Sequence, residues 1–311
     1  MHRCLISRNQ RPEHVARVYA LGMFDGVHIG HMALIQTAVK TARERGDKCG
    51  VYTFDVHPAR VVHADRAHYA LMSLDDRLDL IESAGVDVAV VHAFDTELAS
   101  MSPEAFVSRV LRGALDARRV VVGFDYSFGH GGAGGPTTLE SLAHDAGICV
   151  DTLPPVQIDG APVSSTRVRA ALSSGEVERA ALLLGRRHFV RGTVERGRGV
   201  GTRLGIPTAN VSVPTGIALP MPGVYACEAR WGSLASAPAV CNIGMRPTFD
   251  DQGRGVTLEV HVMGARPDLY GAVLTVEFAA RLRDELRFAD TSELVRQIEA
   301  DMIAARRVLG R

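Results

Sequence analysis

Short runs of apolar and β-branched residues alternate with helical patterns from Val18 to about Leu153. The runs are VYALGMF, CGVYTF, VDVAVVHAF, RRVVVGF and ICVDTL. The helical segments between them start near His31, Leu74, Pro103 and Thr138. Nearly continuous apolar runs are typical of strands buried on both faces, which requires helices on each side of a parallel sheet. The first half of the chain is therefore predicted to be an α/β domain built on a parallel sheet.

The pattern changes after a last helical stretch from Ser165 to Leu184. The later runs are HFVRGTVE, GVYACEARW, APAVCNIGM, VTLEVHVMG and AVLTVEF. Turns that contain glycine or proline separate them, which indicates antiparallel strands. In VTLEVHV the apolar residues alternate with Glu259 and His261, as expected of a strand with one buried and one solvent-exposed face. This half is predicted to be a small barrel or sandwich that ends in an amphipathic helix from Thr291, whose start carries Ser292 and Glu293.

Length and composition agree with two ordinary globular domains, which we place at 1–185 and 186–311. A chain of 311 residues is about twice the usual domain size. Its formal net charge is zero, so no overall field draws it to nucleic acid or to an anionic membrane. Five scattered cysteines without a CxxC pair argue against a disulfide framework or a cysteine zinc site. With no apolar segment long enough to cross a bilayer, a reducing cytoplasm is the expected location.

The motif GMFDGVHIGH, residues 22–31, follows a strand and runs into a helix. Its glycines allow backbone N–H groups to approach an anion, and the helix N-terminus adds positive potential. His28 and His31 stand where they could donate hydrogen bonds to phosphate oxygens. The motif therefore favours nucleotide binding, although a plain tight turn with solvated histidines stays open. A metal site is disfavoured because HxGH lacks the i, i+4 spacing of HExxH and no third ligand is evident.

A second glycine-rich motif, GRGVGTRLGIPTAN, spans residues 197–210. Such a loop can fold over a nucleotide, but it is neither a P-loop nor a Rossmann turn, and a surface loop is an equal interpretation. Taken alone, PTAN reads as a turn. Glu259 could accept a proton, yet a solvated strand glutamate is the usual explanation of such a residue.

Longer matches connect these motifs to one family. GMFDGVHIGH, YTFDVHP, VGFDYSFG and VSSTRVR occur in the order found in the nucleotidyltransferase half of the bacterial bifunctional riboflavin kinase/FMN adenylyltransferases. PTAN, GVY, CNIGMRPTF, LEVHV, DLYG and FAARLRDELRF follow in the order of the riboflavin kinase half. The chain resembles this family over most of both halves. The resemblance implies a Rossmann-like α/β nucleotidyltransferase domain followed by a small antiparallel β-barrel domain with a terminal helix.

The implied chemistry is FAD biosynthesis in two steps. ATP phosphorylates riboflavin to FMN, and a second ATP adenylylates FMN to FAD with release of pyrophosphate. The implied ligands are riboflavin, FMN, FAD, ATP and the Mg²⁺ that accompanies ATP. No nucleic acid or membrane partner is expected, and self-association is left open.

The resemblance also assigns residues, with Glu259 as the kinase base and His28 and His31 as the groups that hold the triphosphate. ATP binding in the adenylyltransferase is assigned to Gly22, Phe24, Asp25, Gly26, His28, Gly30, His31, Ser164, Ser165, Thr166 and Arg169. Flavin binding there is assigned to His57, Pro58, Asp125 and Phe128. ATP binding in the kinase is assigned to Gly199, Gly201, Gly205, Pro207, Thr208 and Asn210, with Thr208 and Asn210 as the Mg²⁺ ligands.

Two departures from the family pattern lie in the first half. Val56 stands where proline is usual, and HGGAGGP, residues 130–136, stands where basic residues are usual. One alternative is therefore a chain in which only the kinase half is active and the first half merely binds flavin or nucleotide. A second alternative is RNA binding by the arginine-rich stretch 186–203. The zero net charge and the single tryptophan weigh against it, because an RNA-binding module is expected to carry a broad basic face with aromatic platforms.

Overall fold

The computed structural model describes residues 1–7, 11–62, 69–197, 201, 205–232, 235–245, 256–264 and 268–310. Within it the chain divides into two compact units, Met1–Ser165 and Thr166–Arg311. This division falls at the start of the helical stretch that the sequence analysis assigned to the first domain. The domain boundary between 185 and 186 stays a prediction.

The first unit is built on a six-stranded parallel sheet with the order β1-β4-β3-β2-β5-β6. Its strands are β1 (His2–Ile6), β2 (Val18–Leu21), β3 (Cys49–Phe54), β4 (Val88–His92), β5 (Arg119–Gly123) and β6 (Cys149–Leu153). The predicted parallel α/β architecture is confirmed. The sequence analysis missed β1, because this edge strand pairs only with β4 and is largely exposed, so it lacks the apolar run of a buried strand.

Helices cover both faces of this sheet. They are α1 (Ile29–Glu44), α2 (Pro58–Val62), α3 (Leu74–Ser83), α4 (Thr96–Ala99), α5 (Pro103–Ala105), which continues as a π-helical segment (Phe106–Ala114), and α6 (Pro136–Asp145). One core cluster includes Tyr19 and Leu21, and the other includes Val18 and Ala20. Successive residues of β2 thus enter opposite cores, which is why the strand shows no polar alternation. A short hairpin of β7 (Gln157–Ile158) and β8 (Ala161–Pro162) lies near the end of the unit.

The second unit begins with two helices and continues as a closed barrel. The helices are α7 (Ser165–Ser173), whose first residue ends the first unit, and α8 (Val177–Leu184). The barrel has the order β10-β13-β12-β11-β14-β9. Its strands are β9 (Phe189–Glu195), β10 (Ala209–Ser212), β11 (Gly223–Trp231), β12 (Ala235–Met245), β13 (Val256–Val262) and β14 (Val273–Arg283). The predicted antiparallel barrel is confirmed, and β10 is the one barrel strand that the sequence analysis did not predict.

A terminal helix, α9 (Thr291–Val308), packs against β11, β12 and β14. Its N-cap is Asp290, whose carboxylate accepts a hydrogen bond from the Glu293 backbone N–H at 2.9 Å. On the barrel side, Arg283 forms a bidentate ion pair with Asp301, which is only 5% exposed. The predicted helix is thus present, and a buried ion pair anchors it to the barrel. Over the described ranges, no helix combines the length and apolarity needed to cross a bilayer.

Candidate active sites

The loop between β2 and α1 has an unusual backbone. Phe24 and Val27 adopt φ of 54° and 39°, and Gly26 adopts φ of 81°. Positive φ is costly for residues with a Cβ, by about 1–3 kcal/mol each, so the surrounding structure must hold this conformation. The glycine motif therefore folds into one defined shape.

Hydrogen bonds with three other segments hold this loop. Thr53 at the end of β3 donates a hydrogen bond from Oγ1 to the Met23 carbonyl at 3.1 Å. The Asp25 carboxylate accepts one from the Leu71 backbone N–H at 2.9 Å. Ser165, an assigned ATP-binding residue, donates from Oγ to the Asp25 carbonyl at 2.8 Å. The loop is therefore fixed before any ligand enters, which is the preorganisation that a phosphate site requires.

His28 and His31 lie together at the N-terminus of α1. His28 is the N-cap and 6% exposed, and its Nδ1 accepts a hydrogen bond from the His31 backbone N–H at 3.2 Å. This bond assigns the proton of neutral His28 to Nε2, which is then its donor. The two rings stack with their centroids 3.6 Å apart. Both imidazoles thus stand side by side where the helix N-terminus favours an anion.

The environment of His31 keeps it neutral. Burial lowers the pKa of His31 well below its ordinary value, and His28 and Arg77 lower it further. Its Nδ1 has no hydrogen-bond partner among the described residues. Gly30 allows the loop to pack closely beside these rings, because a Cβ there would lie 3.2 Å from the His28 ring. Two neutral donors at a helix N-terminus suit phosphate oxygens, and in the described part of the chain no cluster of three His, Cys, Asp or Glu side chains suits a metal ion.

The four residues assigned to flavin binding lie after the carboxyl ends of β3 and β5, the edge of a parallel sheet at which ligands bind. His57 accepts a hydrogen bond from the Ala59 backbone N–H on Nδ1 at 3.1 Å, and Pro58 begins α2. Asp125 is exposed. Phe128 is different, because it is 6% exposed and belongs to the hydrophobic core. The structure thus places three of the four near the surface and Phe128 inside.

Gly134 of HGGAGGP packs against Phe128. Phe128 and Gly134 exchange two backbone hydrogen bonds of 3.0 and 2.9 Å. A Cβ at Gly134 would lie 2.6 Å from the Phe128 ring, and one at Gly129 would lie 2.7 Å from Pro103. The departure from the family pattern is therefore an ordered turn in which glycine allows close packing against an aromatic ring.

The second site lies on the barrel, where three polar side chains form a row across adjacent strands. Asn210 on β10 and Asn242 on β12 are both register partners of Glu259 on β13. Glu259 is half-buried, while its neighbours Leu258 and Val260 point into the barrel interior. The Glu259 carboxylate has neither a hydrogen bond nor an ion pair among the described residues. Its carboxylate is therefore available to accept a proton.

The PTAN segment is tied to the strand that carries Glu259. His261 donates a hydrogen bond from Nδ1 to the Pro207 carbonyl at 2.8 Å. Thr208 follows directly, and Asn210 lies within β10. The interpretation of PTAN as a turn is therefore wrong for its last two residues, which begin a barrel strand.

The glycine-rich loop before PTAN is only partly described, and Gly199 lies outside the described residues. A Cβ at Gly201 would lie 2.4 Å from the Ile206 carbonyl oxygen and 3.2 Å from the Thr208 hydroxyl. The Ile206 backbone N–H donates to the Gly201 carbonyl at 2.9 Å, and Gly205 has φ of +78°. Gly201 and Gly205 thus bring the chain close to Thr208 in a conformation that favours glycine.

The donor set of this second site fits Mg²⁺. Thr208 supplies a hydroxyl and Asn210 an amide oxygen, both of them hard oxygen donors, while the Glu259 carboxylate opposite Asn210 can accept a proton. Directly opposite residues of an antiparallel pair have Cβ atoms about 5 Å apart, so Asn210 and Glu259 face the same ligand space. Few protein ligands leave most of the coordination shell to phosphate and water, as Mg²⁺ prefers.

The sequence analysis gave no role to Asn242, which lies beside Glu259 in the barrel site. Asn242 belongs to CNIGM, and its Nδ2 donates to Glu285 at 3.4 Å, but only the barrel register places it beside Glu259. Thr166 and Arg169 lie on α7 in the second unit, exposed and half-buried respectively. Their role in ATP binding, and that of Ser164, stays a prediction.

Two family models together match most of the chain. One is described as FAD synthetase and matches residues 10–167. The other is described as riboflavin kinase and matches residues 184–309. Each match includes one of the two candidate sites.

Curated relatives match over nearly their full length. The chain is similar to proteins named bifunctional riboflavin kinase/FMN adenylyltransferase from three bacteria. The identity is 36% for Bacillus subtilis, 37% for Pseudomonas fluorescens and 34% for Escherichia coli K12. The matches cover 94%, 96% and 94% of this chain and 92%, 94% and 93% of the respective relatives. A crystal structure described as a macrolide-efflux protein from Streptococcus pneumoniae is also similar, with a TM-score of 0.87, 28% identity and coverage of 97% of this chain and 99% of that one. The likeness to that structure extends over both units.

Proposed function

The chain belongs to the family of bifunctional riboflavin kinase/FMN adenylyltransferases, and on that premise we propose that it makes FMN in its barrel unit and FAD in its α/β unit. The observation that carries the proposal is that each unit has its own site for handling phosphate. The α/β unit has stacked His28 and His31 at a helix N-terminus. The barrel has Asn210 and Glu259 opposite each other. The alternative of an inactive first half has no support.

In the kinase reaction Glu259 is the general base. It accepts the proton of the riboflavin 5′-hydroxyl while that oxygen forms a bond to the γ-phosphorus of ATP and the bond to ADP breaks. Thr208 and Asn210 would hold Mg²⁺, which supplies charge neutralisation on the transferring phosphoryl group. The support for these roles is the Glu259 carboxylate, which has no partner in the part of the chain that the structure describes, and the oxygen donors beside it.

In the adenylyl transfer an FMN phosphate oxygen attacks the α-phosphorus of ATP, and pyrophosphate leaves. His28 and His31 donate hydrogen bonds to the triphosphate, and the glycines of the loop allow its backbone to approach. Catalysis comes from positioning and charge stabilisation, with no covalent enzyme intermediate. His57, Pro58 and Asp125 contact the flavin, and Phe128 supports that site from the core side.

The remaining expectations are part of this proposal. The enzyme works in the cytoplasm, which suits the unpaired state of its five cysteines. Riboflavin, FMN, FAD and ATP are its ligands, and Mg²⁺ is its metal. Its self-association is open and can be measured by light scattering.

The test is a product analysis. Purified protein is incubated with riboflavin, ATP and Mg²⁺, and riboflavin, FMN and FAD are separated by chromatography. We expect FMN first and FAD after it, and a chelator should stop FMN formation. FMN without FAD would restrict the function to the kinase, and the absence of both products would refute the proposal.

A further inference from the structure

A buried arginine lies beside the nucleotide loop, and no role assigned above explains it. Arg77 on α3 is 3% exposed. Arginine is rarely buried to this extent unless it is paired, because removing the charge from water is costly. Its position therefore calls for a specific reason.

The guanidinium of Arg77 joins two segments at the carboxyl edge of the sheet. Nη1 donates to the Met23 carbonyl at 2.8 Å, and Nη2 donates to the Phe54 carbonyl at 2.5 Å. Met23 directly precedes Phe24, the first residue of the loop with positive φ. The planar guanidinium thus connects the start of the nucleotide loop with the end of β3. The chain continues from there to His57 and Pro58, which are assigned to flavin binding.

The charge of Arg77 reaches the candidate phosphate site. Burial lowers the pKa of Arg77 to about 10, against the opposing effect of Asp25 and Asp55, so the group is still a cation at neutral pH. The same charge contributes to the lowered pKa of His31. Its Nε is buried without a partner among the described residues. A buried cation with an unused donor, whose charge also acts on His31, favours the binding of an anion.

A purely packing role does not account for these features. An apolar side chain of similar volume would avoid the desolvation cost of a buried cation, but it would leave the Met23 and Phe54 carbonyls without these donors. Lysine would keep the charge but not the geometry, because a single ammonium cannot reproduce the planar fork between two carbonyls. The position thus needs both the charge and the shape of a guanidinium.

We propose that Arg77 is a positioning residue for adenylyl transfer, which fixes the loop that presents His28 and His31 to ATP and favours the triphosphate by its charge. The inference rests on the proposed adenylyltransferase function. It adds a residue of α3 to a site otherwise built from the glycine loop, and it makes the loop conformation depend on a group that contacts no substrate.

The test compares Arg77→Lys and Arg77→Met with Arg119→Met as the matched control. Arg119 lies in the same sheet at the amino end of β5, the edge opposite the loop, and pairs with Asp151 at 2.5 Å. FAD synthesis from FMN, kinase activity on riboflavin and melting temperature are measured for each variant. We expect both Arg77 variants to lose about tenfold or more in kcat/KM for ATP, with the KM for FMN and the kinase activity unchanged. Arg119→Met should keep kcat/KM for ATP.

Two further measurements separate positioning from folding. The NMR titration of the His31 ring should move to higher pH in Arg77→Met and stay in place in Arg119→Met. Guanidinium ion added to Arg77→Ala should restore part of the FAD synthesis. Normal kcat/KM for ATP in Arg77→Met would overturn the inference while FAD synthesis by the unaltered chain stands. If the unaltered chain makes no FAD, the proposed function itself fails.

Discussion

At the scale of single residues, the two sites differ in how much the sequence can say about them. The histidines of HxGH follow a strand and precede a helix, so their place at a helix N-terminus is predictable from the chain itself. Glu259 has no such local signal, since every half-buried strand glutamate has the same alternating pattern. Only its pairing with Asn210 and Asn242, both distant in the chain, distinguishes Glu259 from other strand glutamates.

Replacing Glu259 by glutamine should remove the kinase base while keeping the shape of the site. We expect FMN formation to fall by roughly a hundredfold or more, since general bases contribute 10²–10⁴ in rate. FAD formation from supplied FMN should be unchanged. Glu195→Gln is the control, because Glu195 is the other register partner of Asn210 and is exposed. Equal kinase activity in the two variants would remove Glu259 from the role of base.

His28 combines a helix cap with a proposed phosphate donor, and two substitutions separate these roles. His28→Ala loses both, whereas His28→Asn loses the imidazole but keeps an N-cap acceptor. We expect both variants to lose about a hundredfold in FAD synthesis, because one preorganised donor contributes about 3 kcal/mol. Only the alanine variant should also lose about 1 kcal/mol of stability. If His28→Asn keeps both its stability and its FAD synthesis while His28→Ala loses both, the role of His28 is structural.

At the scale of elements, the buried strands could be predicted from the sequence, whereas the exposed edge strand β1 and the short strand β10 could not. The central strands of the sheet carry apolar runs because both faces are covered, and that signal is local. β1 and β10 lack it: the first is an exposed edge, and the second starts within a proline-containing motif that resembles a turn. Their strand conformation is imposed by neighbours distant in the chain, so propensity alone could not reveal it.

The ion pair between Asp301 and Arg283 should decide how firmly α9 holds to the barrel. Asp301→Asn leaves a largely buried guanidinium without its carboxylate, so we expect a loss of about 3 kcal/mol. Glu299→Gln on the exposed face of α9 is the control and should stay within about 0.5 kcal/mol. The fluorescence of Trp231, the single tryptophan and a residue of β11, reports barrel unfolding in urea. Equal stability of the two variants would contradict this anchoring role.

At the scale of the whole molecule, one chain carries two units, each with its own core and its own site. Chain length and hydrophobic patterning predicted the two domains and the class of each, while the resemblance to a known family implied the chemistry. The exact register of the barrel and the shape of the glycine loop came only from the structure, since both depend on contacts between distant segments. Either activity can serve as the internal control for variants in the other unit.

The barrel unit should lose stability in acid, because His188 is buried within it. Burial lowers the pKa of His188 to about 4 from an ordinary 6.5. Below pH 6.5 the unfolded chain therefore binds a proton on His188, whereas the folded barrel binds it only near pH 4. The free energy of unfolding falls as the pH falls through this window, because the unfolded state then binds more protons. Between pH 7 and 5 we expect a loss of about 2 kcal/mol from this group. Between the same two pH values His188→Phe should lose less unfolding free energy than the unaltered chain, as measured by Trp231 fluorescence in urea. An equal loss in the two proteins would exclude His188 as the cause.

The position of β10 has a consequence for protein engineering. This four-residue strand carries Asn210 and closes the barrel between β9 and β13. Replacing the proposed ATP-binding segment by a grafted sequence, as though all of it were a surface loop, would open the barrel at β10. Libraries aimed at new nucleotide specificity should therefore randomise the residues before Ala209 and leave 209–212 intact.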